Sequence, residues 1–277
     1  MTGSLRARLG AGAATLALTL VAVVFAFPFV WMLLATFKTN PEVFRPFPLL
    51  PAHFYLDHYR ALLNGTFIPF PRQFANSLLV AFGQTLLVLL LTVPAGYAFA
   101  QLRVRGARGL FGLALATIVL PQQVLVLPLF AWLNALGLYD SLLGVMLPGV
   151  VSGLGVVFFT LVFRGVPREL AEVARSEGAS EGRVLLTLLP LVSPALFAFG
   201  LIHFVLAWQE HLIPLVMIGS EADKTVPVAL ASLYGSNVRI PYALLMVGCL
   251  LTTLPTATLY ILLRRHFRSA LADLVTR

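Results

Sequence analysis

Apolar residues in this chain are gathered into long stretches that contain no Asp, Glu, Lys or Arg. Six of these stretches have 23 residues or more, whereas every other charge-free run has 14 or fewer. The long stretches are 9–37, 73–102, 109–139, 141–163, 184–209 and 240–263. Roughly 20 residues of helix cross the hydrocarbon core of a bilayer, and a helix satisfies its own backbone hydrogen bonds there. The pattern therefore predicts six transmembrane helices, at about 10–36, 74–101, 110–133, 142–163, 187–209 and 241–263.

The first stretch also has the position of a secretory signal peptide. The apolar core of a signal peptide has roughly 7–15 residues and leads to a small-residue cleavage site. This stretch is longer, lacks a clear cleavage site and ends in FPFVWMLLATFK, whose aromatic side chains are typical of a membrane boundary. We interpret it as the first transmembrane helix.

Composition points to the same class of protein. Of the 277 residues, 59% are hydrophobic and 11% are charged, against roughly 25% charged in a soluble domain. The one cysteine, Cys249, lies in an apolar run, so an intrachain disulfide is excluded. We predict an all-α polytopic membrane protein with a single transmembrane domain over residues 1–277.

The basic residues indicate which ends of the helices face the cytoplasm. Six helices place both termini on one side of the membrane. The segments on that side carry 13 of the 19 Lys and Arg residues, and the other side carries 6. Cytoplasmic loops are enriched in Lys and Arg, so both termini are predicted to be cytoplasmic. The net charge of +8 is explained by this topology and does not indicate nucleic-acid binding.

Charged residues are concentrated in one cytoplasmic loop, 164–190, which carries four Arg and four Glu. Pro167 suits the first turn of a helix, where its missing N–H would have no partner in any case. The residues RELAEVARSE then predict a helix that ends at Gly178, because glycine readily adopts positive φ. Ser180 has the position of an N-cap for the next helix, which continues into the fifth span. The loop is predicted to be a helix–Gly–helix hairpin.

The first helix of this hairpin presents two sets of side chains. Its apolar stripe, at i, i+3 and i+4, consists of Leu170, Val173 and Ala174. Ion pairs are within reach on another face, from Glu172 to Arg168 and to Arg175. A helix lying on lipid usually has Lys and Arg opposite bulky apolar residues, which the balanced charge here does not match. Docking to a protein partner and a solvated loop both remain open on the residues alone.

The loop resembles the EAA loop of ABC importer permeases. The matching residues are Glu172–Val173–Ala174, Glu177–Gly178–Ala179 and Leu189–Pro190. Segments 28–44, 74–102 and 120–148, together with the tail from TVPVALASL onward, are similar to the smaller permease subunit of maltose-type sugar importers.

The chain departs from the usual pattern of that loop at four points. Val173 replaces an Ala, Glu177 replaces an Asp, and Leu185 stands where Phe is common. The spacing from Gly178 to Pro190 is also one residue shorter than usual. The hairpin itself is still predicted.

This resemblance implies a type I ABC importer permease fold, in which the loop is a coupling helix that rests in a groove of an ATP-binding subunit. The docking residues that it implies are Glu169, Glu172, Val173, Ala174, Glu177, Gly178, Ala179 and Pro190. It implies a multi-pass protein of the bacterial cytoplasmic membrane. The implied partners are a second, homologous permease in a heterodimer, two ATP-binding subunits, and an extracellular or periplasmic solute-binding protein.

ATP hydrolysis is expected on a different chain. A P-loop needs a glycine-rich turn with a lysine on the phosphates. The two lysines of this chain, Lys38 and Lys224, lie in no such motif, and neither an H-E-x-x-H pattern nor a Cys/His cluster occurs. We expect no enzyme activity and no bound cofactor on this chain, with ATP and Mg held by the ATPase subunit.

Polar residues in the spans are candidates for the solute path. Gln122 and Gln123 lie near the middle of the third stretch, where neutral hydrogen-bonding groups suit a sugar. Hydrogen bonding between helices is their alternative role. Trp208 and Glu210 lie near the outer end of the fifth stretch and are further candidates. His203, alone within that stretch, is expected to be a packed and hydrogen-bonded core residue.

The external segment 210–239 is long, polar and similar to the external loop of maltose-type permeases. Tyr234 and Asn237 in this segment are the residues that we expect to contact a solute-binding protein.

The main functional hypothesis is import of a sugar or oligosaccharide by ATP-driven alternating access. The alternative within ABC transport is a polyamine, phosphate ester or peptide. A cationic solute favours acidic path residues, of which the spans have almost none. An ion-driven secondary transporter usually shows repeated halves or buried charged relays, and a membrane enzyme needs a catalytic constellation. The sequence has no convincing sign of either class.

The 13-to-6 distribution of basic residues predicts the outcome of reporter fusions. Fusions after Arg105 and Arg175 should report a cytoplasmic location, and fusions near Arg60 and Asp223 an external one. A cytoplasmic signal near Asp223 would contradict the six-span topology.

Overall fold

A computed structural model describes the backbone of residues 2–45, 47–235 and 242–275. Within these ranges it describes side chains except those of residues 2–10, 13, 122, 235 and 264–275. The described residues form helices and connecting turns, with no β-strand. The α-helices are α1 (Thr2–Ala35), α2 (Asn40–Val43), α3 (Asp57–Leu63), α4 (Phe70–Gln101), α5 (Ala107–Val119), α6 (Gln122–Ala135), α7 (Leu142–Val150), α8 (Gly153–Arg164), α9 (Arg168–Ser176), α10 (Glu181–Gln209), α11 (Leu212–Met217), α12 (Val226–Gly235) and α13 (Tyr242–Val275).

Four helical segments in the described part of the chain are long and apolar enough to cross a membrane. They are Ala14–Ala35, Phe70–Gln101, Glu181–Gln209 and Tyr242–Leu263. Two bent pairs of helices pass the same test when each pair is taken as one span, which raises the number to as many as six. The pairs are Ala107–Val119 with Gln123–Ala135, bent by 111°, and Leu142–Val150 with Gly153–Arg164, bent by 45°.

The third and fourth predicted helices, 110–133 and 142–163, therefore differ from the structure, since each consists of two helices. The break in the third lies before Pro121, where Leu120 has an extended backbone with ψ of 119°. Proline lacks a backbone N–H and disfavours the helical conformation in the residue before it. The break in the fourth lies at Ser152, whose hydroxyl accepts a hydrogen bond from the Gly155 N–H at 3.0 Å and so caps α8.

The chain forms two compact units. One comprises Met1–Ile68 with Ser232–Thr253, and the other comprises Pro69–Ala231 with Leu254–Arg277.

In the first unit, the residues that follow α1 are tied together by polar contacts. The buried Lys38 ammonium donates to the carbonyl of Pro48 at 2.9 Å. The Tyr59 hydroxyl donates to the Thr36 hydroxyl at 2.8 Å. Glu42 accepts hydrogen bonds from the backbone N–H and the hydroxyl of Thr39, which lower the pKa of its carboxyl group. Most of the described apolar side chains of α1 are exposed, whereas Ala35 at its end is buried.

In the second unit, α4 is the central helix and packs against α7, α8 and α10. Its contact with α8 is close because Gly96 faces the backbone of that helix. A Cβ atom at Gly96 would lie 2.5 Å from the Cβ of Phe159 and 2.6 Å from its carbonyl carbon. Buried side chains of α4, α8, α9 and α10 then form one apolar cluster at this end of the unit. Small residues permit such close approach between helices in membranes.

The close contact at Gly96 predicts a large effect of a single methyl group. Gly96→Ala should force α4 and α8 apart and lower the free energy of unfolding by about 1–3 kcal/mol, as overpacking does in other cores. Gly112→Ala is the matched control, because a Cβ there has no atom within 4 Å. Thermal unfolding in detergent measures both, and an unchanged midpoint for Gly96→Ala would contradict the packing described here.

Candidate functional site

The hairpin predicted for residues 164–190 is present as α9, a turn and the start of α10. Gly178 has a φ of +82°, as its role in the turn requires. The Gly178 N–H donates to the Arg175 carbonyl at 2.9 Å, and the Ala179 N–H donates to the Ala174 carbonyl at 3.1 Å. These two bonds form a Schellman motif, which ends α9 and reverses the chain. The predicted helix end and positive φ at Gly178 are confirmed.

The beginning of each hairpin helix matches the sequence prediction in position but differs in detail. Pro167 lies just before α9 as its N-cap, and Ser180 is the N-cap of α10. The Ser180 hydroxyl makes no capping hydrogen bond. The backbone carbonyl of Ser180 accepts a hydrogen bond from the Val184 N–H at 2.9 Å.

One face of α9 packs against the helical bundle through small side chains. Ala171 is 0% exposed, and Ala174 and Ala179 are partly buried against the same cluster. Alanine side chains let α9 approach its neighbours closely. The buried cluster includes Phe163, Val166, Val184 and Leu188.

The outward side of α9 is open and carries the larger apolar side chains. Leu170 is 46% exposed and Val173 is 59% exposed. Glu169, Glu172 and Glu177 of the same hairpin are also exposed. The predicted stripe of Leu170, Val173 and Ala174 lies on a regular helix, but its members differ in exposure, because Ala174 packs on the bundle while Leu170 and Val173 are exposed.

The ion pairs predicted for Glu172 are also absent from the described side chains. Arg175 instead binds Glu181 with two hydrogen bonds, from Nε to Oε1 at 2.9 Å and from Nη2 to Oε2 at 3.2 Å. The reversal of the chain at Gly178 brings Glu181 to Arg175 in a bidentate geometry, which is stronger than a single hydrogen bond. The Glu172 carboxylate is left at the open face.

The candidate path residues lie in different local settings. Gln123 is exposed at the start of α6, and the side chain of Gln122 lies outside those described. Trp208 is buried, with its ring 5.5 Å from that of Phe74. The Glu210 carboxylate accepts the backbone N–H groups of Leu212 and Ile213, at 2.8 and 3.2 Å, and so caps α11. Their assignment to a solute path stays a prediction.

His203 departs from the expected hydrogen-bonded core position. Its ring stacks on Phe199 with a centroid distance of 6.1 Å. Its Nε2 atom is buried and has no hydrogen-bond partner among the described residues.

On the predicted external side, Tyr234 of α12 is exposed, as a contact residue needs to be. Asn237 lies outside the described residues. A polar network that the sequence analysis did not predict holds the preceding segment, 219–226. Two side chains of α4 hold it by hydrogen bonds. Arg72 donates to the Asp223 carboxylate at 2.6 Å, and Asn76 donates to the Ala222 carbonyl at 3.0 Å.

Asp140 anchors the other end of this segment. Its Oδ1 atom accepts the backbone N–H groups of Gly219 and Ser220, both at 2.9 Å. The Ser220 N–H is the main reason that the pKa of this carboxyl group lies below its usual value. In sequence, Asp140 is the single charge between two apolar stretches. An isolated charge at this place is the sequence feature that could have indicated a specific hydrogen-bonding role for Asp140.

Among the described residues, no group of three or more His, Cys, Asp or Glu side chains is placed to bind a metal ion.

Comparison with known proteins identifies the family. Residues 92–273 match the family described as binding-protein-dependent transport system inner membrane component. The chain is 32% identical over 266 residues to the arabinooligosaccharides transport system permease protein AraQ of Bacillus subtilis (strain 168), covering 94% of this chain and 93% of that protein. The chain therefore belongs to this family of membrane permeases, which are multi-pass proteins of the inner membrane.

Two further similarities support the family and the fold. The chain is 29% identical over 255 residues to the trehalose/maltose transport system permease protein MalG of Thermococcus litoralis (strain ATCC 51850 / DSM 5473 / JCM 8560 / NS-C), with 91% of each chain covered. A chain in the crystal structure of a bacterial ABC transporter involved in the import of the acidic polysaccharide alginate superposes with a TM-score of 0.82. That superposition has 20% identity and covers 94% of this chain and 97% of the other. The chain thus has the ABC importer permease fold.

Proposed function

We propose that this chain is the permease subunit of an ATP-driven importer that carries a sugar or oligosaccharide across the cytoplasmic membrane. The observation that carries the proposal is the division of α9 into two faces. One face is packed on the bundle through Ala171, while the open face presents Leu170 and Val173, which are about half exposed within the described chain. A short helix with this division is suited to binding a partner and passing its movement to the bundle.

The partner of the open face is a separate ATP-binding subunit. Burial of the half-exposed Leu170 and Val173 would contribute about 1 kcal/mol each to docking. Three exposed glutamates, Glu169, Glu172 and Glu177, lie on the same hairpin. The complementary groove therefore has an apolar floor and basic or hydrogen-bonding groups at its rim. Ala174, Gly178 and Ala179 set the shape of the hairpin.

Continuity of α10 provides the route from docking to transport. This helix runs without interruption from Glu181 in the hairpin to Gln209, one residue beyond Trp208. In the proposed cycle, ATP with Mg closes two ATPase subunits on each other, and α9 moves with them. The cytoplasmic end of α10 moves too, and the path opens to the outside. Hydrolysis on the ATPase subunits resets the path, so no catalytic residue or cofactor is needed on this chain.

Support for a carbohydrate solute comes from the relatives. The two relatives described above are named as permeases of transport systems for arabinooligosaccharides and for trehalose/maltose. The six charge-free stretches also suit a neutral solute, which is bound by hydrogen-bonding and aromatic groups. Gln122, Gln123, Trp208 and Glu210 are the candidates on this chain, and a second, homologous permease would supply the other side of the path.

A solute-binding protein would deliver the sugar to the external face. Segment 219–226 is held by Asp140 and by side chains of α4, which makes it a firm surface for docking. Tyr234 and Asn237 are the proposed contact residues further along the chain. Both termini are proposed to face the cytoplasm.

Gly178 offers the sharpest test of the docking hairpin. A β-branched residue is strongly disfavoured at a φ of +82°, and the strain of about 1–2 kcal/mol or more should distort the turn. Gly178→Val should therefore reduce retention of the ATPase subunits, or transport in proteoliposomes, by about tenfold. Insertion of the chain in the membrane should be unchanged.

The matched control is Gly182→Val in the first turn of α10. Gly182 has no positive φ, and a Cβ there meets no atom within 4 Å, so this variant should behave like the wild type. Co-purification of the ATPase, ATP turnover and sugar uptake are measured for both. Wild-type retention and uptake in Gly178→Val would contradict the proposed function.

A further inference from the structure

Two side chains of α4 hold the docking hairpin at separate points. The Gln101 amide donates to the carbonyls of Phe163 and Val166, at 2.9 and 3.3 Å, where the chain enters the hairpin. The Tyr97 hydroxyl contacts the far side of the hairpin, where the chain has turned. Tyr97 and Gln101 are four residues apart, so they lie one helical turn apart on the same face of α4.

The contact at Tyr97 is a closed triangle of hydrogen bonds. The Tyr97 hydroxyl donates to Oε2 of Glu181 at 2.5 Å and accepts from Nη2 of Arg175 at 3.2 Å. Arg175 and Glu181 complete the triangle through their own bidentate pair. The triangle joins three helices, because Tyr97 belongs to α4, Arg175 to α9 and Glu181 to α10.

Because Tyr97 is buried, the triangle should hold the hairpin more firmly than a surface ion pair would. The Arg175 and Glu181 side chains are 29% and 46% exposed, and an exposed pair of this kind contributes roughly 0–1 kcal/mol. Tyr97 is 3% exposed, with its ring in edge contact with Phe163 at 5.6 Å. The ring fixes the hydroxyl in place, so the ion pair is held at a point set by the core.

The turn of the hairpin does not need this triangle. The backbone bonds at Gly178 and Ala179 already end α9 and reverse the chain. The main packing partner of α9 is α10, whereas α4 packs chiefly on α7, α8 and α10. The side chains of Tyr97 and Gln101 therefore add a direct link between the hairpin and α4.

We propose that Tyr97 and Gln101 are positioning residues that fix the docking hairpin to α4, so that α9, the start of α10 and α4 move as one body. This inference rests on the proposed function, since it assigns a route for the movement that docking produces. Because Gly96 packs α4 closely on α8, a displacement of the hairpin reaches α8 as well as α10. A loose link would allow ATP turnover without movement of the spans.

The test compares Tyr97→Phe with Tyr260→Phe in the assembled transporter. Tyr97→Phe removes one hydroxyl and keeps the buried ring, whereas Tyr260 is exposed on α13 and serves as the control. The first measurement is amide hydrogen exchange in residues 165–182. The second is the import ratio, defined as the amount of sugar imported per ATP hydrolysed. Tyr97→Phe should raise the exchange and lower the import ratio by about three- to tenfold each, with the ATPase still bound.

A charge reversal separates positioning from a general loss of stability. Arg175→Glu and Glu181→Arg should each lower the import ratio, and the double variant should recover most of it, because the pair and its contact with Tyr97 can re-form in reverse. Gln101→Leu should act in the same direction as Tyr97→Phe. Failure of the double variant to recover the ratio would overturn the positioning role.

Two further outcomes would overturn the inference. Unchanged hydrogen exchange in Tyr97→Phe would show that the triangle does not hold the hairpin. Raised exchange with an unchanged import ratio would show that the link does not transmit movement. If the proposed function is wrong, the wild-type chain itself does not bind the ATPase. That result is distinguishable from the two outcomes above, because hydrogen exchange reports on the hairpin itself.

Discussion

Helix α9 divides its side chains between the packed bundle and an open surface. A helix of nine residues is too short to be stable alone and needs tertiary packing. Ala171 and Ala174 provide that packing because they allow close approach to the bundle. Leu170 and Val173 remain about half exposed, and three glutamate residues of the same hairpin are exposed as well. A firmly held helix with a partly exposed apolar face is the feature on which the proposed docking to a partner subunit rests.

Local signals explain why much of the fold could be predicted from the sequence. The charge-free stretches near 74–101 and 187–209 are present as long helices, since their lengths and apolar composition suit no other structure in a membrane. The turn at Gly178 was predictable because this glycine lies between two segments that each have a recognisable helical pattern, α9 and α10. The family followed from the residues of the same loop.

The remaining features depend on contacts between distant parts of the chain. Tyr97 and Glu181 are 84 residues apart in sequence, and neither has a local pattern that predicts their hydrogen bond. The split of the apolar stripe on α9 was not predictable either, because helical spacing does not reveal which neighbours will cover Leu170 or Ala171. The break at Pro121 was readable as a local signal, but the long apolar stretch around it favoured one continuous helix.

Site-directed crosslinking would test the division of α9 most directly. Single cysteines are introduced at Leu170, Ala171 and Val173 in a chain whose Cys249 is replaced by serine, and each is treated with a short crosslinker in the assembled transporter. The account predicts crosslinks to the ATP-binding subunit from positions 170 and 173, and none from position 171, which is 0% exposed. Equal crosslinking from position 171, or none from positions 170 and 173, would contradict the assignment of the open face as the docking surface.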